Sequence, residues 1–359
     1  MKKTILALAV VGACATQAHA QSNVTIYGIV DAGITHVTNE SGNRTTVEAG
    51  QMQVSRWGFK GIEDLGGGVK ARFGLEGTLL NDTGGAGVAT GTPSSTSLFD
   101  REATVGLISN YGAIDIGRQN ILGVQSVGMA DPMGLAFAAT SPNVLFSAMN
   151  NSAVYGPYGA NNGGTALRQN NSVRYVSPNW KGAHFALMRA FGEQAGNVQK
   201  SSYTAASAFY AEGPLSVGGA YARLKNNLDT DLLTSHAFGI KYTMPVVALK
   251  STYSQNKLDS TRRKISVFGV GADFTVTPVV VLTAAFYNTT RSGDADDKSR
   301  QYIGIAKYLF SKRTNGYISI GRATTDTVVT ATQINLAQGF VAVGSDKANR
   351  ITTGVIHYF

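Results

Sequence analysis

Between Val69 and Leu79 the chain alternates in a way that restricts its surroundings. Val69, Ala71, Phe73, Leu75 and Leu79 fall on one side of an extended strand, and Lys70, Arg72, Gly74, Glu76 and Thr78 on the other. The first face is too apolar for water; the second holds too much charge for a protein core. Two environments accept such a strand. One is a soluble sandwich, with core on one side and water on the other. The other is a transmembrane barrel, with lipid outside and a wet lumen inside. This one strand does not decide between them.

The pattern of the whole chain does. Val24, Ile26, Gly28, Val30, Ala32 and Ile34 oppose Thr25, Tyr27, Asp31 and Thr35, and Trp57 and Phe59 oppose Arg56, Gly58 and Lys60. Farther on, Phe238, Ile240 and Tyr242 oppose Ala237, Gly239 and Lys241, and Phe268, Val270, Ala272 and Phe274 oppose Val267, Gly269, Gly271 and Asp273. Residues 301–310 are ambiguous, with apolar side chains on both faces. Short turns at 63–68, 177–180, 212–214, 244–245, 276–278 and 311–314 alternate with long polar connections near 81–97, 119–168, 192–201, 225–231, 256–262, 290–298 and 325–347. Strict alternation of short and long gives two unlike ends, as in an outer-membrane barrel. The predicted fold is all-β: a closed antiparallel transmembrane β-barrel of about sixteen strands around an aqueous channel. No run of about 18 apolar residues calls for a transmembrane helix.

The N-terminus reads as a secretory signal, residues 1–20, with Lys2 and Lys3, an apolar run from Ile5 to Ala15 and a cleavage site at Ala18-His19-Ala20. Residues 21–359 then form one barrel domain. The one cysteine, Cys14, leaves with the signal, so disulfides and thiol chemistry are not expected. Loss of Lys2 and Lys3 lowers the net charge from +9 to +7. These charges are scattered singly along strands, without a basic tail. That distribution suits a basic cavity rather than a nucleic-acid surface.

One stretch departs from the strand pattern. Gln119–Leu167 is 49 residues long, rich in Gly, Asn, Ala and Met, and carries a single charge, Asp131. Loops of this length inside a compact domain are functional or disordered. A solvated surface loop would carry more charge, so the expectation is a loop folded into the lumen, narrowing it. At the other extreme the chain stops on Phe359, at the end of a strand from Asn349 whose Ile351, Thr353, Val355 and His357 share a face. A strand flush with the chain end suits a barrel that must close, and Phe359 is the expected closure residue.

Signs of catalysis are missing from the sequence. His36, His184, His236 and His357 have no metal-ligand spacing, and no Gly-x-Ser-x-Gly elbow occurs. Gly66-Gly67-Gly68 leads into a strand, so it is a turn and not a phosphate loop. Asp294, Asp296 and Asp297 read as a solvated acidic loop. No catalytic residue, metal or cofactor is expected.

Several stretches carry a resemblance: Val24-Thr25-Ile26-Tyr27-Gly28, residues 55–64, Phe99-Asp100-Arg101, residues 111–118, residues 308–314 and terminal Phe359. Spread over the chain, they make it resemble the trimeric general porins of Gram-negative outer membranes, most of all the branch that prefers anions. The resemblance implies a sixteen-stranded barrel in a homotrimer, embedded in outer-membrane lipid, passing small anionic or neutral hydrophilic solutes, with the third loop as constriction. It also implies a ladder of arginines on the wall opposite that loop. Arg56 and Arg101 match its motif, Lys60 shares the parity of Arg56, and either Arg168 or Arg174 would be the third member. Parity alone pairs Arg101 with Ala103, Val105 and Leu107 and would turn it outward; the resemblance turns it inward. Arg118 shares parity with Ile114 and Ile116 and is expected at a subunit interface. Two departures stand out. Asp131 is the only acid on the constriction loop, and Ile356 and Tyr358 stand where basic residues are common. A channel specific for one solute class and a barrel enzyme are the alternatives. The first wants an aromatic track through the lumen, the second a convergent nucleophile and base.

Overall fold

The structure, a computed structural model, describes residues 23–39, 42–86, 97–136, 141–146, 167–337 and 340–359. The expected signal segment lies outside these residues, as do parts of the loops near 81–97 and 119–167.

Strands dominate. In chain order they are β1 (Asn23–Asn39), β2 (Gly42–Ala49), β3 (Arg56–Gly66), β4 (Val69–Leu80), β5 (Gly85–Ala86), β6 (Glu102–Ser109), β7 (Gly112–Asn120), β8 (Arg168–Val176), β9 (Ala183–Ala190), β10 (Tyr203–Glu212), β11 (Leu215–Lys225), β12 (Leu232–Thr243), β13 (Val247–Leu258), β14 (Lys264–Thr277), β15 (Val280–Ser292), β16 (Asp297–Leu309), β17 (Thr314–Thr325) and β18 (Lys347–Tyr358). Two short helices, α1 (Leu122–Gly128) and α2 (Pro142–Phe146), lie in the third loop. Every pairing is antiparallel. β1 meets β18 from Ile29↔Tyr358 to Asn39↔Ala348, which closes the sheet into a barrel.

Eighteen strands make sixteen staves. β2 and β3 are two pieces of one stave, since β1 pairs with β3 over Asn23–Ile29 and with β2 over Ala32–Asn39. β5 is a two-residue flap on β4, and β4 continues the barrel by pairing with β6. Closure gives each of the sixteen staves a paired neighbour on both sides, as a sheet that crosses a membrane requires.

Residues 50–55 interrupt the second stave for a physical reason. The buried Asp31 carboxylate accepts the N–H of Met52 at 2.6 Å, the N–H of Gln53 at 2.8 Å and the Tyr317 hydroxyl at 2.7 Å. Ser55 Oγ accepts the Asp31 N–H and donates to the Asp31 carbonyl. This polar knot holds the segment away from the ladder.

The two faces of the barrel follow the sequence alternation. Val105, Leu107, Ile114, Ile116, Phe238, Ile240, Val270, Ile318, Ile320 and Val355 are exposed, the set that faces lipid. Ser207, Ala222, Ser235, Thr252, Asn256 and Tyr287 on the alternate positions are buried. The ends differ as expected, with short turns at one end and longer connections at the other. One expected long connection, 290–298, is instead a tight link of 293–296, because β15 and β16 extend into it.

Phe359 is hydrogen-bonded to β1 beside the seam. Its N–H donates to Gly28 O at 3.1 Å, and the Gly28 N–H donates to Phe359 O at 3.2 Å. Gly28 must lack a side chain, because a Cβ there would meet the Phe359 ring.

Candidate functional site

The polar faces of β3, β4 and β6 meet in register: Arg56 opposite Thr78, Gly58 opposite Glu76, and Glu76 opposite Glu102. Two carboxylates directly across a ladder repel unless cations intervene. Arginines supply them. Arg101 Nε donates to Glu76 Oε1 at 2.6 Å, and Arg56 Nε lies 3.8 Å from Glu76 Oε2. Tyr27 donates its hydroxyl to Glu76 Oε2 at 3.1 Å, and the Lys60 ammonium sits 4.9 Å from the centre of the Tyr27 ring. The ring thus steadies both a carboxylate and an ammonium.

Arg101 turns inward because strand parity does not govern it. β6 begins at Glu102, and Arg101 belongs to the bend before it. The Arg101 N–H donates to Glu76 O at 3.0 Å. Asp100 pins the same bend, accepting the Thr78 N–H at 2.7 Å and the Thr78 hydroxyl at 2.8 Å.

Of Arg168 and Arg174, the structure brings Arg168 to this group. It opens β8, is buried, and lies within the electrostatic reach of Arg101, Glu76, Arg118 and Asp100. Arg174 belongs to a second cluster, where Asp115 takes Arg174 Nη2 at 3.0 Å and Arg72 Nη2 at 2.5 Å. Two irregularities separate the pair: a register shift between Gly117 and Gln119, and Asn171 with a φ of 51°. Arg118 sits at that shift. It donates to the Asp100 carbonyl at 2.5 Å and to the Asn170 side chain, both within this chain.

The described parts of the third loop lie against the buried faces of β10–β15, away from the exposed apolar face. Gly239 is left bare for Ser126 and Ala130, and Gly271 for Pro132. Val127, Met133, Val144 and Phe146 join the main buried apolar cluster with Leu233, Ile265 and Ile303. Polar ties complete the docking. Asn143 donates to Thr252 Oγ1 at 3.0 Å, Asn256 donates to the Phe146 carbonyl, and Gln53 donates to Gly134 O at 3.3 Å.

Asp131 is the centre of these ties. Its carboxylate accepts from Asn143 Nδ2 at 2.7 Å, Leu135 N at 2.8 Å, Met133 N at 3.1 Å and the Tyr287 hydroxyl at 3.1 Å. With 1% exposure it is not an open lumen charge facing the arginines. Burial pushes its carboxyl up, while these hydrogen bonds and the Lys250 charge pull it down; burial wins.

Sequence reasoning missed three features: the role of Glu76 as the anchor of the arginines, the inward segment 50–55, and the inward lysines Lys250 of β13 and Lys307 of β16. Glu76 was visible as the acid on the polar face of β4. Among the described residues, no group of three or more His, Cys, Asp or Glu side chains is arranged to hold a metal ion.

Comparison with known proteins agrees with this architecture. Outer membrane porin protein 32 of Delftia acidovorans is 33% identical over 269 residues, covering 72% of this chain and 70% of that protein. Major outer membrane protein P.IB of Neisseria meningitidis serogroup B is 28% identical, covering 89% and 93%. Among solved structures, the anion-selective porin from Comamonas acidovorans superposes with a TM-score of 0.77 at 26% identity, covering 94% of this chain and 100% of that one. Residues 7–328 match the family described as Gram-negative porin. With its closed sixteen-stave barrel, apolar outer face and polar lumen, this chain belongs to the Gram-negative porins, the diffusion channels of the outer membrane.

Proposed function

We propose that the chain, exported by a signal in residues 1–20, works as a homotrimer that passes ions and small hydrophilic solutes with a preference for anions. Arg56, Arg101 and Arg168, with Lys60 beside them, line the narrowest part, and the loop Gln119–Leu167 narrows the passage from the other wall. Arg118 lies where a neighbouring subunit would pack.

The observation that carries this reading is the charge balance of the cluster. Arg56, Lys60, Arg101, Arg118 and Arg168 gather about Glu76, Asp100 and Glu102, an excess of two cations. Fixed charge of one sign at a narrow aqueous passage attracts counter-ions and repels co-ions. The surrounding low-dielectric wall focuses that field. Arginine keeps its charge when partly buried, and its planar fork matches carboxylate and phosphate. The ion pairs to Glu76 hold the guanidinium groups in place. Support also comes from the Comamonas protein, described as anion-selective.

The test is the reversal potential of the purified channel in a planar bilayer across a KCl gradient. The expected sign is that of chloride. A potassium sign would overturn the reading.

A further inference from the structure

We propose that a groove on the outer face of β14–β18 seats an acyl chain of a phosphorylated lipid in the outer leaflet, with Arg322 at its rim holding the phosphate. The inference needs the barrel in its membrane and does not depend on which ions pass through the lumen.

Register builds the groove. Ala272, Ala284 and Gly304 stand side by side on β14, β15 and β16, on the face that carries the exposed apolar residues. Ile320 and Ile351 continue the same level on β17 and β18. One level nearer the long connections come Phe286, Tyr302 and Arg322, again opposite one another. The ring centres of Phe286 and Tyr302 lie 5.0 Å apart. Three residues with at most a methyl side chain, set below this aromatic pair, leave an apolar groove of about 890 Å³. At its centre the backbone does not demand the smallness. A Cβ on Gly304 would meet only Ile320, at an ordinary 3.4 Å, whereas one on Gly271 would strike the Ala284 carbonyl at 2.5 Å. The groove is therefore a feature of the lipid-facing surface. Its walls lose dispersion contacts unless a flexible apolar chain fills it.

Charge selects which chain. From the Phe286 level to the short turns, the outward positions of β14–β18 hold no acid and a single arginine or lysine, Arg322. Arg322 is exposed, lines the groove, and makes no hydrogen bond or ion pair among the described residues. Aromatic rows mark the membrane interfaces of a barrel, and the longer loops lie outside the cell. Arg322 shares the Phe286–Tyr302 level, which puts it at headgroup depth in the outer leaflet. Arg300 and Lys347 take the two diagonal positions beyond it, about 7–8 Å away. Around this end of β14–β18, Asp259, Asp294, Asp297, Asp326 and Asp346 each have a cation in reach: Lys257, Arg263, Arg291, Arg300 and Lys347 respectively. Asp296 is the one acid left against Arg262, Lys264, Lys298 and Arg322, an excess of three cations. Exposed pairs such as Arg300–Asp326 contribute little and open readily to a stronger anion. The guanidinium fork of Arg322 matches a phosphate bidentately.

Two lipids with the same chains test the seat. The purified full-length protein is titrated with dimyristoyl phosphatidic acid and, separately, with dimyristoyl phosphatidylcholine, and bound lipid is counted by native mass spectrometry. The parent should bind phosphatidic acid several-fold more tightly. R322Q should weaken that binding roughly tenfold, the scale of one charge-assisted hydrogen bond, and leave phosphatidylcholine unchanged. R322K should keep most of the preference. A284L/G304L fills the groove and should weaken both lipids several-fold; if it fails to assemble, A284L alone carries this arm. Equal affinity of the parent for the two lipids overturns the inference. So does a folded R322Q with the parent's preference, or a folded groove variant with the parent's affinity. A groove variant that changes association between barrels but not lipid binding also overturns it, because the occupant is then a second copy of the chain.

Discussion

Replacing Asp131 with Ala should release the third loop from the barrel wall. The carboxylate serves five donors, of which the Ser141 hydroxyl, at 3.4 Å, is the most distant. Two of them keep another acceptor: Met133 N–H also reaches Tyr287 Oη at 3.0 Å, and Asn143 also reaches Thr252. The Leu135 N–H and the Tyr287 hydroxyl lose theirs. An orphaned buried donor costs about 1–3 kcal/mol. Leu135 is only part-buried, so its share falls at the low end. Docking should therefore weaken by roughly 2–4 kcal/mol. At about 1.4 kcal/mol per factor of ten, the released population rises by about 30- to 1,000-fold. Two assays read this directly. Open-channel current noise in planar bilayers should increase, and limited proteolysis of the folded trimer should cut within residues 119–167. If D131A trimers show the parent's noise and the parent's resistance to cleavage, Asp131 is not what holds the loop.

Two further predictions concern the same framework. Deleting Phe359 removes both backbone bonds to Gly28 at the seam, where each unpaired group in hydrocarbon costs several kcal/mol. Heat-modifiable trimer in the membrane should drop sharply, and unchanged amounts would contradict the closure role. The second concerns pH. A carboxyl raised by burial binds its proton more tightly with the loop docked than with it released. Docking is then strongest below the ordinary carboxylate range and weakens as pH rises through the raised value. Current noise should fall or hold steady as pH drops from 7 to about 4, the ordinary carboxylate range; rising noise on acidification would count against it.

Much of the barrel was legible because lipid and lumen impose opposite chemistry on alternate residues. β4 shows this plainly, as does the loop asymmetry. Where the lumen face is covered by the docked loop, the contrast fades. Ile303 and Ile305 are inward residues of β16, apolar because they join the buried cluster with Met133 of the loop. They made 301–310 look apolar on both faces and hid Lys307. Arg101 misled parity because it precedes its strand. Arg168 and Arg174 share parity in the sequence, and only the shift at Gly117 and the turn of Asn171 separate them. Asp31 was visible on the polar face of β1, but its partners Met52, Gln53 and Tyr317 lie far along the chain. Charge of the right kind on the loop identified Asp131; its burial depended on tertiary contacts with β13 and β15 that no local pattern encodes.

The arginine cluster is tested most directly by the reversal potential of R56S/R101S/R168S beside the parent, at low and at high KCl. Three cations leave a group whose acids stay, so local charge changes from an excess of two cations to a deficit of one. The parent's chloride preference should be strongest at low salt and fade as the screening length shortens from about 30 Å at 0.01 M to about 3 Å at 1 M. The folded triple variant should lose that preference or turn toward potassium, with the difference between the two proteins shrinking at high salt. A triple variant that assembles as a trimer and keeps the parent's chloride preference at low salt would contradict the account.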